Sequence, residues 1–231
     1  MKKIALIISL MALFSLNVNA QRRTTVFGLK LGPNLGWAGA GSTTTSSEGV
    51  GVGFAFGGIV DHYFSKHIAA SSGLNFNFLS MGYQFEDSRI PENYLEATKV
   101  SVNRRFKGTY LEVPIKLKVK IDIIDSWKAY AEGGVGLGFN LRAMGKDSYK
   151  DSFGTLYEDK SFSNYRDQYK IIQTALNFGL GAIFEVNSKF SLFAQLTFNH
   201  ALSNSFNKAM EKQTGSIIRT NFIGLEIGII N

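Results

Sequence analysis

The chain has 231 residues with three prolines, no cysteine, 24 glycines and 19 phenylalanines; 45% of residues are hydrophobic and 19% charged. That length and apolar content fit one folded domain and exclude a self-solvating disordered chain, while the lack of cysteine excludes disulfides, thiolate catalysis and Cys-ligated zinc. The 25 Lys and Arg against 18 acids give +7, a balance that would suit nucleic acid or anionic lipid, but part of it belongs to a leader.

Residues 1–20 read as a secretory signal: Lys2 and Lys3, an apolar run from Ile4 to Leu16, then Val18-Asn19-Ala20 with small residues around the cut. The run is shorter than the roughly 18 residues a membrane-spanning helix needs, so cleavage after Ala20 is expected. Losing Lys2 and Lys3 leaves 23 bases against 18 acids, or +5, which leaves no case for a nucleic-acid partner. No Cys lies near the cut to be acylated, so a lipoprotein is not expected. Residues 21–231 then form the single mature domain.

From residue 21 onward the hydrophobic period is two. Phe27, Leu29, Leu31, Leu35 and Trp37 share one parity, with Gly28, Lys30, Gly32, Asn34 and Gly36 on the other. The pattern returns around Val50 to Phe56, Leu74 to Phe78, Leu111 to Val119, Val135 to Leu141, Ile172 to Phe184, Phe190 to Phe198 and Ile223 to Ile229. Each run predicts a strand with two unlike faces, eight strands in all. Connections of alternating length separate them: 39–49, 83–107, 144–167 and 203–216 are long and polar, whereas 63–66, 120–126 and 186–188 are short. Outer-membrane barrels have this asymmetry, with short periplasmic turns and long external loops.

A soluble lipocalin-like barrel shares the periodicity, and the character of the two faces separates it from a membrane barrel. The polar parity is mostly Gly, Ala, Ser, Asn and Gln, which suits a crowded interior better than a solvated surface. The apolar parity is almost free of charge, as a lipid-facing band must be. Phe27, Trp37, Tyr63, Trp127 and Phe190 fall near strand ends, where interfacial aromatics belong. The expected fold is therefore an all-β, eight-stranded, up-and-down antiparallel transmembrane barrel in the outer membrane. Pro33 and Pro114 fall inside predicted strands, where a bulge or widened ladder is expected at each.

Several stretches resemble the PorT-like outer-membrane β-barrel family: Phe27-Gly-Leu-Lys-Leu-Gly-Pro-Asn-Leu-Gly36, Tyr110-Leu-Glu-Val-Pro-Ile-Lys-Leu-Lys118, Tyr130-Ala-Glu-Gly-Gly-Val-Gly-Leu-Gly138 and Asn221-Phe-Ile-Gly-Leu-Glu-Ile-Gly228. The resemblance spans nearly all the mature chain. It implies a Gram-negative outer-membrane barrel similar in architecture to OmpA and OmpX. Some relatives are linked to secretion, and the family carries no catalytic residues to transfer. One departure is the chain end Ile229-Ile230-Asn231, where outer-membrane strands commonly finish on an aromatic residue.

The inward parity holds Lys30, Lys116, Lys118 and Arg142 against Asp61, Glu112, Glu132, Glu185 and Glu226. Near balance predicts mutual pairing in a filled lumen, with Lys116 and Glu132 as diagonal neighbours and Lys30 meeting Glu226 across the closing seam. A narrow passive pore for ions or small solutes is the alternative. Of the three histidines, His62 and His67 bracket a short turn. Only His200, with Ser203 and Ser205 nearby, could serve a hydrolase, yet its parity points to lipid. No metal-ligand spacing, nucleotide loop or cofactor motif is present. The external stretch with Tyr149, Phe153, Tyr157, Phe162 and Tyr165 is a candidate partner-binding loop, read equally as loops folded over the barrel. The second long loop carries Tyr94 and Phe106. The partners expected are outer-membrane lipid and envelope or secretion proteins; oligomeric state has no sequence signature.

Overall fold

The computed structural model describes residues 24–42, 45–89, 98–151 and 154–231. The leader, Tyr94 and Phe153 lie outside the described residues. The strands are β1 (Thr25–Ala40), β2 (Thr45–Tyr63), β3 (Ile68–Arg89), β4 (Thr98–Ile124), β5 (Trp127–Lys150), β6 (Leu156–Glu158), β7 (Ser163–Asn164), β8 (Ile172–Glu185), β9 (Ser191–Ala201) and β10 (Ile218–Ile230). All pairings are antiparallel. Each long strand pairs with the next long one in sequence, and β1 pairs with β10, with Leu29 opposite Ile229 and Gly36 opposite Phe222. The wall is thereby closed, and no backbone edge faces lipid.

The described residues form ten strands, not the eight expected. β5 pairs with β8 only from Trp127 to Phe139, because β8 begins at Ile172. The upper edge of β5 would otherwise be open, and β6 takes Ser148 to Lys150 while β7 takes Met144 and Gly145. These short pieces satisfy backbone groups that an exposed edge would leave unpaired.

The long strands also overrun the loops expected at 83–107 and 144–167. β3 and β4 pair continuously from Leu79 opposite Gly108 to Arg89 opposite Thr98. Alternation persists there with its chemistry reversed: Tyr83, Phe85, Val102 and Phe106 are fully buried, while Ser101, Asn103, Arg105 and Lys107 are exposed. At the other end β4 reaches Ile124, so the turn is Asp125-Ser126 and not the longer 120–126. The stretch 203–216 is likewise not a plain loop, since it holds helix α1 (Lys208–Thr214). Asn207 caps it by accepting the Met210 N–H at 2.8 Å, and Gly215 ends it at φ 66°, the left-handed conformation that favours glycine.

Neither proline bulges the sheet. Pro33 pairs with Phe54 on β2 but falls in a gap of the β1–β10 ladder, which resumes at Asn34 opposite Gly224 without a register shift. Pro114 pairs with Gly136 and sits in a similar gap toward β3, where the Ser72 hydroxyl donates to the Pro114 carbonyl at 2.7 Å. Each proline turns its missing donor toward a locally widened ladder. A real shift does occur between Thr109 and Tyr110 opposite Arg142 and Asn140. It leaves Leu141 and Arg142 both exposed, so Arg142 faces outward, not into the lumen as its parity had implied.

Outside, the run from Leu111 to Ile123 on β4 is apolar at every outward position. It extends roughly 40 Å along the strand, or roughly 28 Å once tilted by about 45°, the thickness of a hydrocarbon layer. Inside, backbones approach closely: a Cβ at Gly32 would lie 1.9 Å from the Leu225 carbonyl oxygen, across the seam. Gly32→Ala is expected to destabilise the barrel by about 1–3 kcal/mol, measured as a lower temperature for loss of the compact band in unheated gel electrophoresis; an unchanged transition would contradict the seam geometry.

Candidate functional site: the filled lumen and the external rim

Three layers fill the lumen. Nearest the short turns is a charged layer built on inward positions of β1, β2, β4, β5, β9 and β10. Lys30 Nζ donates to both carboxylate oxygens of Glu226, at 2.9 and 3.1 Å, across the β1–β10 seam. Gln195 Nε2 donates to Glu226 at 2.6 Å, and the Tyr130 hydroxyl donates to Gln195 at 2.7 Å. Lys118 bridges Asp61 at 2.6 Å and Glu132 at 3.4 Å, and Lys116 also pairs with Glu132. The Lys116–Glu132 contact is diagonal, because Lys116 lies opposite Gly134 and Lys118 opposite Glu132. These charges are buried, apart from the partly buried Lys116, and each has a partner, which is the condition for tolerating them.

The middle layer is a single carboxylate. Glu112 does not pair with a lysine; it accepts from Asn77 Nδ2 at 2.8 Å, Asn177 Nδ2 at 2.7 Å and Asn199 Nδ2 at 3.1 Å. Three amide donors stand in for a counter-ion. Above it, a cavity of about 30 Å³ is bounded by Glu112, Gln173, Tyr110 and Phe222, room for about two waters.

The third layer, at the long-loop end, is an apolar plug. Tyr83, Phe85, Phe106, Tyr169, Phe206 and Ile218 pack together, joined by Met210 of α1. The Tyr83 and Tyr169 hydroxyls hydrogen-bond to each other. Arg104 is buried within this plug, donating through Nε and Nη2 to the two oxygens of Asp147 at 2.6 and 2.7 Å and through Nη1 to Gln168 at 2.6 Å. Its guanidinium also lies 4.1 Å from the centre of the Tyr165 ring. This bidentate, stacked arrangement uses the planar fork that lysine lacks. Arg104 and Asp147 fall in stretches that the sequence predicts as loops; the parity of Val100, Val102, Arg104 and Phe106 is the signal that marks Arg104 as inward.

Among the predicted site residues, Lys30 meets Glu226 and Lys116 meets Glu132, while Glu112 stands apart with its asparagines. The candidate partner-binding aromatics fold back onto the protein. Tyr149 and Tyr157 stack with ring centres 5.1 Å apart, Tyr165 covers Arg104, and Phe162 lies under the Lys107 ammonium at 4.6 Å. Glu185, expected among the lumenal charges, is instead at the short-turn mouth, where it pairs with Lys128 and is partly exposed. His200 faces outward beside Phe198, ring centres 6.4 Å apart. The Ser205 hydroxyl pairs with Thr220 at 2.9 Å, and Ser203 Oγ accepts from the Thr174 N–H at 3.2 Å.

A closed antiparallel wall, an apolar outer band and a polar, salt-bridged interior define a transmembrane β-barrel. Residues 19–207 match the family model described as "Outer membrane protein beta-barrel domain", and the chain belongs to that family. Membership places it in the outer membrane of a Gram-negative cell, with the long loops external. No curated protein matches the sequence. Among solved structures, the chain is similar to Neisserial surface protein A at 12% identity, covering 87% of this chain and 95% of that one with a TM-score of 0.42. It is also similar to Ail of Yersinia pestis (13%, 89% and 98%, 0.40) and to the outer membrane protease OmpT from Escherichia coli (10%, 93% and 98%, 0.39). Such distant likenesses carry no argument about activity.

Two outcomes follow from the geometry. Lys30→Met leaves Glu226 buried without its counter-ion and is expected to cost about 3–5 kcal/mol of unfolding free energy; adding Glu226→Gln in the same chain should recover most of that loss in urea titrations of vesicle-embedded protein. At the rim, the Lys146 hydrogen bond, with the nearby Arg105 charge also contributing, holds the Glu158 carboxyl below its usual value. The stability it adds is present above about pH 4.3, the ordinary glutamate value, and is lost as pH falls through the depressed one. NMR titration should find the Glu158 pKa rising toward the ordinary value in Lys146→Gln.

Proposed function

We propose that this protein is a non-enzymatic outer-membrane barrel with a filled interior, exported through a leader cleaved after Ala20, that offers its external end as a surface for envelope or secretion proteins. An accessory role in secretion or envelope assembly follows the link to secretion of some members of the PorT-like family that the chain resembles. The observation that carries the reading is occlusion of the lumen at three levels: the Lys30, Glu226, Lys118 and Asp61 network, the amide-held Glu112, and the aromatic plug around Arg104. An eight-stranded wall is just wide enough for its own side chains to fill, and a cavity of about 30 Å³ is no path for a hydrated ion. Against an embedded hydrolase, His200 lies on the lipid side, while Ser203 and Ser205 are engaged with Thr174 and Thr220.

The external surface available to a partner is the tall β3–β4–β5 wall, with the exposed side chain of Leu156 on β6 at its edge. Strands held in a hydrogen-bonded ladder have less ordering entropy to lose on binding than a free loop.

Planar-bilayer recording tests the filled lumen. The purified barrel is expected to stay silent; discrete conductance steps that change when Lys116 or Glu132 is neutralised would establish the narrow passive pore instead. For the partner, a photoreactive residue at Leu156 in native membranes should give adducts with one defined envelope protein, and lipid or self adducts alone would count against the interaction.

A further inference from the structure

Along β4 and β5 the outer wall changes character abruptly at its external boundary. On β4 the outward residues run Leu111, Thr109, Lys107, Arg105; on β5 they run Phe139, Leu141, Arg142, Met144, Lys146. Basic side chains thus begin within one or two outward positions of the last lipid-facing leucine. On β1, β10 and β9 the outward runs reach Leu35 and Trp37, Ile223, and Phe198 and His200; Asn221 there is buried, and Arg219 is a single base further along β10. The shift that sets Arg142 outward is itself part of this concentration: without it Arg142 would share the lumenal parity of Asn140.

Register makes the arrangement unfavourable on its own. Arg105 lies directly opposite Lys146, and Arg142 opposite Thr109 with Lys107 on the adjacent outward rung. Like charges facing each other on one side of a ladder repel. One carboxylate relieves part of this, Glu158 at 2.7 Å from Lys146. Lys107 rests on the Phe162 ring. Among the described residues no carboxylate lies within ion-pair distance of Arg105, Lys107 or Arg142. Four bases and one acid therefore form a surface that gains by accepting anions.

We infer that Arg105, Lys107, Arg142 and Lys146 form a binding site for the phosphate groups of a glycolipid in the external leaflet. Position selects the lipid over a soluble anion. The site is on the barrel's outer flank, not across its mouth, and the apolar band directly beneath it, from Leu111 and Leu141 downward, would hold acyl chains while the bases hold the headgroup. Guanidinium groups at Arg105 and Arg142 can engage phosphate oxygens through two parallel N–H donors. Bound phosphate would sit between the facing cations of β4 and β5, neutralise their repulsion and brace the tall hairpin where it leaves the membrane.

The test is native mass spectrometry of the full-length mature barrel after incubation with lipid A, a bisphosphorylated glycolipid, or with phosphatidylethanolamine. Wild-type protein is expected to retain lipid A at least about tenfold better. Arg105→Gln/Lys107→Gln/Arg142→Gln should lose that preference, while Lys208→Gln/Lys212→Gln, on α1, should keep it. The charge-keeping Arg105→Lys/Arg142→Lys should retain measurable binding, and a compact unheated band in electrophoresis verifies that each variant is folded. Equal retention of both lipids by wild type, or retention unaffected in the folded triple variant, would overturn the site. Full competition by inorganic pyrophosphate at concentrations comparable to lipid A would overturn the lipid in favour of a soluble polyphosphate.

Discussion

Everything in this structure depends on closure of one hydrogen-bond ladder, β1 against β10. In a hydrocarbon layer an unpaired N–H or C=O has no water to turn to, so eight long strands can cross only if the first and last meet. The seam is made tight by small residues: Gly28, Gly32 and Gly228 leave no room for a Cβ. It is also marked by Lys30 and Glu226, which join the two terminal strands through the lumen. A charge pair whose members are nearly two hundred residues apart in sequence can form only after the ends have found each other, so it rewards the correct closure over any slipped one. That use of a buried pair for specificity rather than net stability is the better-attested one.

Closure then dictates the interior. A ring of eight strands encloses a space that side chains can fill, and the inward parity fills it with three different chemistries in order. The charged layer and the amide-held carboxylate lie within the span of the apolar outer band; the aromatic plug lies where the strands rise beyond it. The inversion is physical. Within the bilayer the outside must be apolar, so polar groups go inside and pair with one another. Above the bilayer the outside meets water, and the same inward parity can hold a conventional hydrophobic core. Arg104 is the exception in that core, tolerated because Asp147, Gln168 and the Tyr165 ring meet its charge and donors.

The external end is thus a small folded unit continuous with the barrel. Its aromatic side chains, Tyr149, Tyr157, Phe162 and Tyr165, are used to hold the short strands and the plug together. What it turns toward its surroundings is the outer flank of β4 and β5, rich in Arg and Lys, and the edge formed by β6. A partner or lipid would be recognised there by charge and backbone shape more than by free tyrosines.

Period-two alternation determined the class of fold, the inward placement of Lys30, Lys116, Glu132 and Glu226, and the membrane span, because side-chain direction in a strand follows position alone. Alternation could not say where each strand ends. Tyr83 and Phe85, or Val102 and Phe106, keep the same parity while the apolar side passes from lipid to core, and a reading tuned to apolar-out patterns takes such residues for loop. Nor could it see β6 and β7, whose few residues pair only because β5 outruns β8. Only the tertiary structure decided the shift at Leu141 that turns Arg142 outward, the asparagines gathered on Glu112 from three strands, and the fork of Arg104 on Asp147. Each of these depends on register and on contacts between residues far apart in the chain, and register is set by the whole closed wall rather than by any local run of sequence.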